Sequence, residues 1–265
     1  MIDLHAHILP SFDDGPSSWE EARDMLRQAE EDGIVELVAT PHILGPSDFA
    51  RQDEIKALFA ELCRVRDQGG LKLRLHLGAE IYAHHELRLD GPFFTLGGNG
   101  RYFMVEFPME NVPPFVGEQF FNLIMDGYTP LVAHPERNLA ILRDPGVAET
   151  LVERGALLQI NSGSLRGVFG PEVRRLAEQL LNAQLVHVVA SDAHGASARR
   201  PRLQEAFGLV AERWGEETAT RLFIDNPRRI LAGQKVEAPE PLPLRAGESS
   251  GPFQRLRRLL RGKQR

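Results

Sequence analysis

Two histidines one residue apart end the first apolar run of the chain, residues 1–7 (MIDLHAH). In an extended strand, residues i and i+2 point to the same side, so His5 and His7 can bind one metal ion together. A strand-end histidine often makes only a local hydrogen bond, so the pair alone is a weak signal. It still makes a metal-dependent hydrolase the leading hypothesis and directs attention to further ligands.

Alternating apolar and helical segments indicate how such ligands could be brought together. Apolar, β-rich runs occur at 1–7, 35–40, 71–77, 102–107, 130–134, 156–160 and 185–190, and helical patterns lie between them at 18–33, 53–68, 114–127, 146–154 and 171–183. Near-continuous apolar strands separated by helices predict an α/β fold with a parallel sheet. Seven such strands favour a distorted (β/α)7 TIM-like barrel, in which functional residues lie at the carboxyl ends of the strands.

Metal-ligand side chains do occur at or shortly after the ends of these predicted strands. The candidates are His5, His7, Asp14, His42, Glu80, Glu106, His134, Asp192 and His194. Imidazole and carboxylate together suit Zn²⁺, Mn²⁺ or Fe, and the absence of thiolates among them leans towards Mn²⁺ or Fe. Nine ligands exceed the four to six positions around one ion, so two or three divalent ions that share a bridging carboxylate are expected.

Several nearby polar residues have an alternative interpretation. The Asp13-Asp14-Gly15 segment is also ordinary turn chemistry, so Asp13 is an alternative ligand to Asp14. Asn161 and Ser162 either contact the ligands and substrate or are structural. The remaining histidines, which are expected to serve as wall, loop or core residues, are His76, His84, His85 and His187.

Composition sets the class of protein and its expected compartment. The chain has 265 residues, 42% of them apolar, and one cysteine, Cys63. No stretch approaches the ~20 apolar residues of a membrane span, and no basic-then-apolar signal opens the chain. A lone cysteine fits a reducing compartment, so a cytoplasmic enzyme is expected. The net charge is −6, and the acidic residues all lie before residue 253. This excess of acidic residues argues against nucleic-acid binding by residues 1–252.

Three regions are predicted along the chain. Residues 1–233 contain the ligands and form the catalytic domain, 234–252 form a Pro/Gly/Ser-rich linker, and 253–265 form a basic amphipathic tail without acidic residues. The tail is either a solvated, disordered extension or an interfacial helix that binds anionic lipid. The second alternative would add peripheral membrane contact to a cytoplasmic protein.

The motifs at these positions resemble those of the PHP (polymerase and histidinol phosphatase) superfamily. Within it, the sequence is most similar to bacterial tyrosine-protein phosphatases of capsule and exopolysaccharide operons. The segments that carry the resemblance are 1–10, 13–15, 39–42, 78–82, 105–107, 133–138, 159–164 and 190–194. The match runs from residue 1 to about residue 233, and several motifs in the same order make it far more specific than a lone His-x-His pair.

The resemblance implies a distribution of the ligands among three ions, with Mn²⁺ preferred. It places His5, His7, Glu80 and Asp192 on the first ion, Glu80, Glu106 and His134 on the second, and Asp14, His42 and His194 on the third. The resemblance also implies that substrate phosphate is bound by Arg137 and Arg199. Because Arg200 directly follows Arg199, either of the two can take the second arginine position.

The implied activity is hydrolysis of phosphotyrosine in proteins by a metal-activated hydroxide. The implied partner is a membrane-linked bacterial tyrosine autokinase of polysaccharide synthesis or export. A PHP phosphatase for a small phosphomonoester, such as histidinol phosphate, is the alternative enzyme, and an inactive PHP binding module is the alternative without activity. Cysteine-dependent phosphatase chemistry is excluded, because it needs an arginine six residues after the cysteine and Gly69 stands there.

Overall fold

The structure is a computed structural model that describes residues 1–87, 89, 91 and 93–244. Its strands are β1 (Ile2–Ala6), β2 (Glu36–Ala39), β3 (His42–Ile43), β4 (Arg74–Leu77), β5 (Glu80–Tyr82), β6 (Tyr102–Glu106), β7 (Thr129–Ala133), β8 (Leu157–Asn161) and β9 (Val188–Ala190). These strands form a three-stranded sheet in the order β1-β2-β4 and a six-stranded sheet in the order β3-β5-β6-β7-β8-β9. All the pairings are parallel.

Helices connect and cover the strands. They are α1 (Trp19–Glu31), α2 (Pro46–Phe49), α3 (Gln52–Gln68), α4 (Val116–Met125), α5 (Leu139–Arg143), α6 (Gly146–Glu153), α7 (Ser162–Leu165), α8 (Pro171–Asn182), α9 (Gln204–Trp214), α10 (Glu216–Thr220) and α11 (Asn226–Leu231). The five predicted helical segments are confirmed as α1, α3, α4, α6 and α8. The short helices α2, α5 and α7 and the helices α9 to α11 were not predicted.

The local sequence explains how α1 begins and which face it buries. Ser18 lies just before the helix, and its hydroxyl accepts a hydrogen bond from the Glu21 N–H (3.2 Å), which satisfies one free donor of the first turn. The buried side chains of α1 recur at helical spacing: Ala22, Met25, Leu26 and Ala29. This apolar stripe packs into the main core, so the helix is held mainly by burial of one face.

The mixed α/β fold with parallel sheets is confirmed, but the single closed barrel of seven strands is not. The predicted runs 35–40 and 71–77 correspond to β2 and β4, and each is followed after an interruption, at residues 40–41 and 78–79, by an additional short strand, β3 or β5. At each interruption the chain passes from the three-stranded to the six-stranded sheet. Pro41 lacks an N–H for the strand ladder, which explains the first break.

His187 is buried between β8 and β9, as the sequence predicted for a core residue. Its Nδ1 accepts a hydrogen bond from the Leu158 N–H (3.1 Å), which assigns a lone pair to that nitrogen. Burial lowers the pKa of His187 to about 4, with a smaller contribution in the same direction from Arg221. The imidazole is therefore neutral in the folded protein at physiological pH.

The charge state of His187 leads to a pH-dependent stability difference. Its folded pKa lies below the unfolded value, so the unfolded state binds the extra proton and stability falls as the pH drops below about 6.5. We expect His187 to account for about 2 kcal/mol of the stability lost between pH 7 and pH 5. In His187→Asn, whose amide oxygen can accept the Leu158 N–H, this part of the loss should vanish. Urea unfolding of both proteins at pH 7 and pH 5 measures the free energy of unfolding. An equal decrease in the two proteins would contradict the prediction.

The segment after α11 packs against the domain as far as it is described. The Tyr102 hydroxyl donates to the Gln234 carbonyl (2.7 Å), and the Leu242 N–H donates to the Ala183 carbonyl (2.9 Å). The predicted boundary at residue 233 stays a prediction. Residues 245–252 of the predicted linker and the basic tail 253–265 lie outside the described residues.

In the part of the chain that the structure describes, every helix is too short or too polar to cross a lipid bilayer.

Candidate active site

The first group of candidate ligands converges where β1 ends and β5 begins. The Nε2 atoms of His5 and His7 lie 3.2 Å apart. Each of them also lies close to Oε2 of Glu80, at 3.2 Å from His5 and 3.1 Å from His7. Asp192 completes the group, with its Oδ1 3.5 Å from His5 Nε2 and 3.7 Å from His7 Nε2. All four side chains are buried.

A chain of hydrogen bonds that starts at Asp192 determines the tautomer of His5. The Asp192 carboxylate can only accept, so the amide nitrogen of Asn161 donates to Oδ2 (2.6 Å). The Asn161 amide oxygen then accepts from Gln159 Nε2 (2.8 Å), which turns Gln159 Oε1 towards His5 Nδ1 (2.9 Å). Nδ1 therefore carries the hydrogen, and the lone pair of Nε2 faces Glu80.

His7 is oriented in the same sense by Asp13. Its Nδ1 donates to Asp13 Oδ2 (2.9 Å), so its Nε2 lone pair also points at Glu80. Asp13 accepts further hydrogen bonds from the backbone N–H groups of His42 (3.0 Å) and Gly15 (3.1 Å). Asp13 therefore holds the His7 ring and the following turn through these three hydrogen bonds.

This first group has the ligand atoms and the negative electrostatic potential that a divalent cation requires. Two lone-pair nitrogens and a carboxylate oxygen within 3.2 Å repel one another unless a proton or a metal cation lies between them. Glu80 Oε2 is buried and accepts no hydrogen bond from the described residues. Burial lowers the pKa of His7, but Asp13 and Glu80 outweigh it and raise the pKa well above its ordinary value. The same negative field favours a bound cation.

A second group surrounds the other side of Glu80. Ligand atoms of His42, Glu80 and Glu106 lie within 4.8 Å of one another. His134 Nε2 lies 3.0 Å from Glu80 Oε1 and 3.6 Å from Glu106 Oε1. Burial and the neighbouring Glu80 raise the pKa of Glu106 to about 7, since two carboxylates share the space. Glu80 thus directs one oxygen to His5 and His7 and the other to His134, which is the arrangement of a bridging ligand.

A third group is more open to solvent. Ligand atoms of His7, Asp14, His42 and His194 lie within 4.8 Å of one another, and the Asp14 side chain is 60% exposed. His194 Nδ1 donates to the Asp192 carbonyl (3.0 Å), so its Nε2 lone pair faces Asp14 Oδ1 (3.2 Å). Burial, followed by His7, lowers the pKa of His42 and brings that of His194 to about 3. Both imidazoles are therefore neutral and able to bind a cation.

Backbone strain marks two of the candidate ligands. His134 has φ 31° and Asp192 has φ 54°, in the left-handed region that side chains with a Cβ rarely adopt. The Asp192 N–H donates to the His5 carbonyl (2.9 Å), which ties this conformation to the end of β1. Such strain persists where the surrounding structure over-determines it, commonly at functional sites.

Two arginines reach the same carboxylate from the solvent side. Arg137 Nη1 donates to Asp192 Oδ2 (3.0 Å), and Arg199 Nη2 donates to the same oxygen (2.5 Å). The Arg137 guanidinium also lies 4.4 Å from the centre of the Phe169 ring. Arg200 is exposed and donates to the Ser197 carbonyl (2.9 Å). The structure thus brings Arg199, and not Arg200, to the candidate ligands.

A cavity of about 390 Å³ opens next to the second and third groups. Its walls are Phe12, Asp13, Asp14, His42, Leu44, Asp48, Arg51, Tyr82 and Glu106. Three candidate ligands are therefore exposed to a space that is large enough for a substrate side chain.

Comparison with known proteins identifies the family. The family model described as "Capsular polysaccharide synthesis, CpsB/CapC" matches residues 1–232. The chain belongs to this family. Tyrosine-protein phosphatase YwqE of Bacillus subtilis (strain 168) is 33% identical to it over 96% of this chain and 100% of YwqE. Tyrosine-protein phosphatase CpsB of Streptococcus pneumoniae is 32% identical over 89% of this chain and 100% of CpsB.

Solved structures agree with the assignment to the CpsB/CapC family. One structure, described with YwqE and CpsB as unique metal-dependent tyrosine phosphatases, is 33% identical and superposes with a TM-score of 0.87 over 93% of this chain and 100% of that chain. A β-aspartyl dipeptidase from Fervidobacterium islandicum AW-1 is only 13% identical, with a TM-score of 0.55 over 87% of this chain and 72% of its own. That second likeness concerns the fold alone. The predicted resemblance to capsule-operon phosphatases is thereby confirmed.

The remaining histidines of this CpsB/CapC-family chain lie apart from the three groups. His76 Nε2 contacts Glu36 (2.9 Å) between β2 and β4. His84 Nδ1 accepts from the Glu86 N–H (3.1 Å), and His85 is exposed against the ring of Phe115. These placements agree with the wall and loop positions that the sequence predicted.

Two polar residues that orient the site were given no role from the sequence. Gln159 points at His5, and it could have been found from its i, i+2 spacing to Asn161 on one strand. Glu136 is fully buried and accepts from the Asn161 N–H (2.9 Å) and the Ser164 hydroxyl (2.6 Å). Its position inside the motif at 133–138 was the available signal. Ser162, the other residue left open, donates to the Arg202 carbonyl and is structural.

Replacing Gln159 tests the orientation of His5 in this CpsB/CapC-family site. Gln159→Leu keeps the volume but removes the acceptor that holds Nδ1–H, so we expect metal affinity to fall roughly 10–100-fold. Competition with a chelator measures the affinity. Gln179→Leu, the same change on the half-buried part of α8, should leave it unaltered. Equal affinities in all three proteins would contradict the assigned tautomer.

Proposed function

We propose that this CpsB/CapC-family protein is a metal-dependent protein-tyrosine phosphatase. The observation that carries the proposal is the convergence of histidine and carboxylate ligands on Glu80, with Arg137 and Arg199 beside them. A homologue that matches nearly the whole chain is named a tyrosine-protein phosphatase, which supports the same substrate class here.

The three groups of side chains support an assignment to three divalent ions. We assign His5, His7, Glu80 and Asp192 to the first ion, Glu80, Glu106 and His134 to the second, and Asp14, His42 and His194 to the third. His42 also lies within reach of the second ion, since its Nδ1 is 3.7 Å from Glu106 Oε2. The oxygen-rich, thiolate-free set favours Mn²⁺, with Fe or Zn²⁺ as alternatives.

The residues around the ions bind and orient the phosphate. When bound, divalent ions polarise the phosphoryl oxygens and bring the pKa of water towards neutrality. Arg137 and Arg199 present guanidinium groups that can bind phosphoryl oxygens through paired N–H donors. Asp192 and the Phe169 ring keep the two arginines in place before substrate arrives. A tyrosyl oxygen leaves with a pKa of ~10, so it needs less protonation than an alkyl alcohol.

Substrate comparison tests the proposal against its alternatives. The Mn²⁺-loaded protein should hydrolyse a phosphotyrosine peptide with a higher kcat/KM than histidinol phosphate, and a chelator should abolish the activity. Faster turnover of histidinol phosphate would favour a small-molecule phosphatase. Metal binding without turnover of either substrate would favour an inactive binding module. The homologues that match the chain are named phosphatases, which disfavours that last alternative.

The proposed architecture is a distorted seven-stranded barrel formed by the two sheets together. In support, the end of β1 lies beside the end of β9. The Asp192 N–H donates to the His5 carbonyl (2.9 Å), and the His7 N–H donates to the Ala193 carbonyl (2.8 Å). If the interrupted strands β2–β3 and β4–β5 each count once, seven strands surround the core.

The proposed partner is a phosphotyrosine protein, in particular a membrane-linked tyrosine kinase. The phosphatase would act in the cytoplasm, with its own tail, residues 253–265, in contact with anionic lipid. The tail's basic and apolar composition supports this, since cationic amphipathic segments bind such surfaces. The full chain should sediment with anionic liposomes, whereas a 1–238 truncation should stay in the supernatant. Equal partitioning of the two proteins would reject membrane contact.

A further inference from the structure

Two side chains that line the cavity each follow a candidate ligand by two residues. Leu44 follows His42 by two residues, and Tyr82 follows Glu80 by two residues. Alternate residues along a strand point to the same side, so Tyr82 lies on the Glu80 face of β5, and Leu44, directly after β3, lines the same cavity as Tyr82. Tyr82 in turn pairs with Glu106, which places its ring beside the second group.

A third apolar side chain completes one wall of the cavity. Phe12, from the loop after β1, lines the same space as Leu44 and Tyr82. The Arg51 guanidinium lies 4.0 Å from the centre of the Phe12 ring and is itself held by two hydrogen bonds to Glu54 (2.8 and 3.0 Å). Arg51 lines the same cavity, so its guanidinium holds the Phe12 ring in position from the cavity side, and the ring is 9% exposed. We refer to Phe12, Leu44 and Tyr82 as the aryl wall.

Leu44 offers apolar surface close to the candidate ligands. It is 57% exposed and borders the cavity. The cavity that it borders also contains Asp14, His42 and Glu106, so a group in contact with the wall is directly beside the candidate ions. An apolar wall beside a charged phosphate site suits a substrate that is apolar next to its phosphate.

We propose that the aryl wall binds the phenyl ring of the substrate and thereby selects aryl over alkyl phosphomonoesters. The inference rests on the proposed function and names the residues that would confer its specificity. A phosphotyrosine holds its ring between the phosphate and the peptide, where Phe12, Leu44 and Tyr82 can cover one side of it. A phosphoserine has a single methylene there and gains little from the wall, because the benefit grows with the apolar area that is covered.

Binding of two phosphonates to the Mn²⁺-loaded protein tests the wall without requiring turnover. Calorimetry should show tighter binding of phenylphosphonate than of methylphosphonate to the unaltered protein. Leu44→Gln should reduce this affinity ratio by roughly threefold to tenfold and leave methylphosphonate binding unchanged. Phe12→Leu, which keeps an apolar side chain but removes the aromatic ring, should reduce the ratio in the same direction. Leu242→Gln changes an exposed leucine outside the cavity and should leave the ratio unaltered.

The outcomes separate this inference from the proposed function. An unchanged ratio in both wall variants, or equal weakening of the two phosphonates, would overturn the aryl wall. Absence of phosphotyrosine hydrolysis together with a wall-dependent ratio would reject the proposed function and still support an aryl-binding wall.

Discussion

Glu80→Gln is expected to lower kcat/KM for a phosphotyrosine peptide by roughly a thousandfold or more, corresponding to about 4 kcal/mol of transition-state stabilisation. Glu80 is buried, and its two oxygens contact different groups of ligands, His5 and His7 on one side and His134 on the other. The amide keeps the shape but loses the charge and one of the two acceptor oxygens. Two ions can then no longer share the residue, and bound metal should fall by at least one ion per chain.

Activity and metal content must be measured together for this prediction. Elemental analysis of the purified variant gives the stoichiometry, and single-substrate kinetics gives kcat/KM. Glu36→Gln is a suitable control, because Glu36 is a half-buried glutamate on β2 that pairs with Arg74 and His76 away from the candidate ligands. It should retain both metal and activity. Full metal content and near-normal turnover in Glu80→Gln would refute the bridging role.

Arg199→Ala should lower kcat/KM by roughly a hundredfold, whereas Arg200→Ala should change it less than twofold. Arg199 points inward to Asp192, and its neighbour Arg200 is exposed and bonded to the Ser197 carbonyl. The two variants remove the same charge one residue apart, so a general electrostatic effect would appear in both. A difference between the variants therefore reports the position of Arg199 beside Asp192 and the phosphate site.

Arg199→Lys refines this comparison. Lysine retains the charge but lacks the planar pair of donors, so we expect partial activity between that of the alanine variant and that of the unaltered protein. Steady-state kinetics at saturating and limiting phosphotyrosine peptide separates kcat from KM. Equal losses in Arg199→Ala and Arg200→Ala, or a larger loss in the latter, would contradict the structural choice of Arg199.

Much of the fold followed from local patterns. The apolar runs and helical segments along residues 1–190 correctly indicated parallel strands covered by helices. Pro41 was a local signal for the break after β2, but the transfer of the chain to the second sheet at both breaks did not follow, because it depends on which carbonyls the neighbouring strands offer. The Glu80 N–H, for example, donates to the Pro41 carbonyl, a partner 39 residues away in the sequence. The short helices α2, α5 and α7 and the helices α9 to α11 were also missed.

In the candidate site, too, the types of residue could be predicted from the sequence, but their arrangement could not. The ligand types and their positions after strands were readable, since alternation along β1 places His5 and His7 on one side. The choice between Asp13 and Asp14 was not readable, because both belong to one turn. It depends on the Asp13 contact with the His7 ring, for which a folded backbone is required. The choice between Arg199 and Arg200 likewise needed the direction of each side chain.

The sequence by itself determined that histidines and carboxylates stand after successive strands and that these motifs match one family of phosphatases. Tertiary structure alone decided how they act together. It placed both Glu80 oxygens between separate groups, and it linked Asp192 through Asn161 and Gln159 to the ring of His5. The reason is physical: ligand chemistry belongs to a residue's type, whereas lone-pair direction and shared contacts depend on partners distant in the chain.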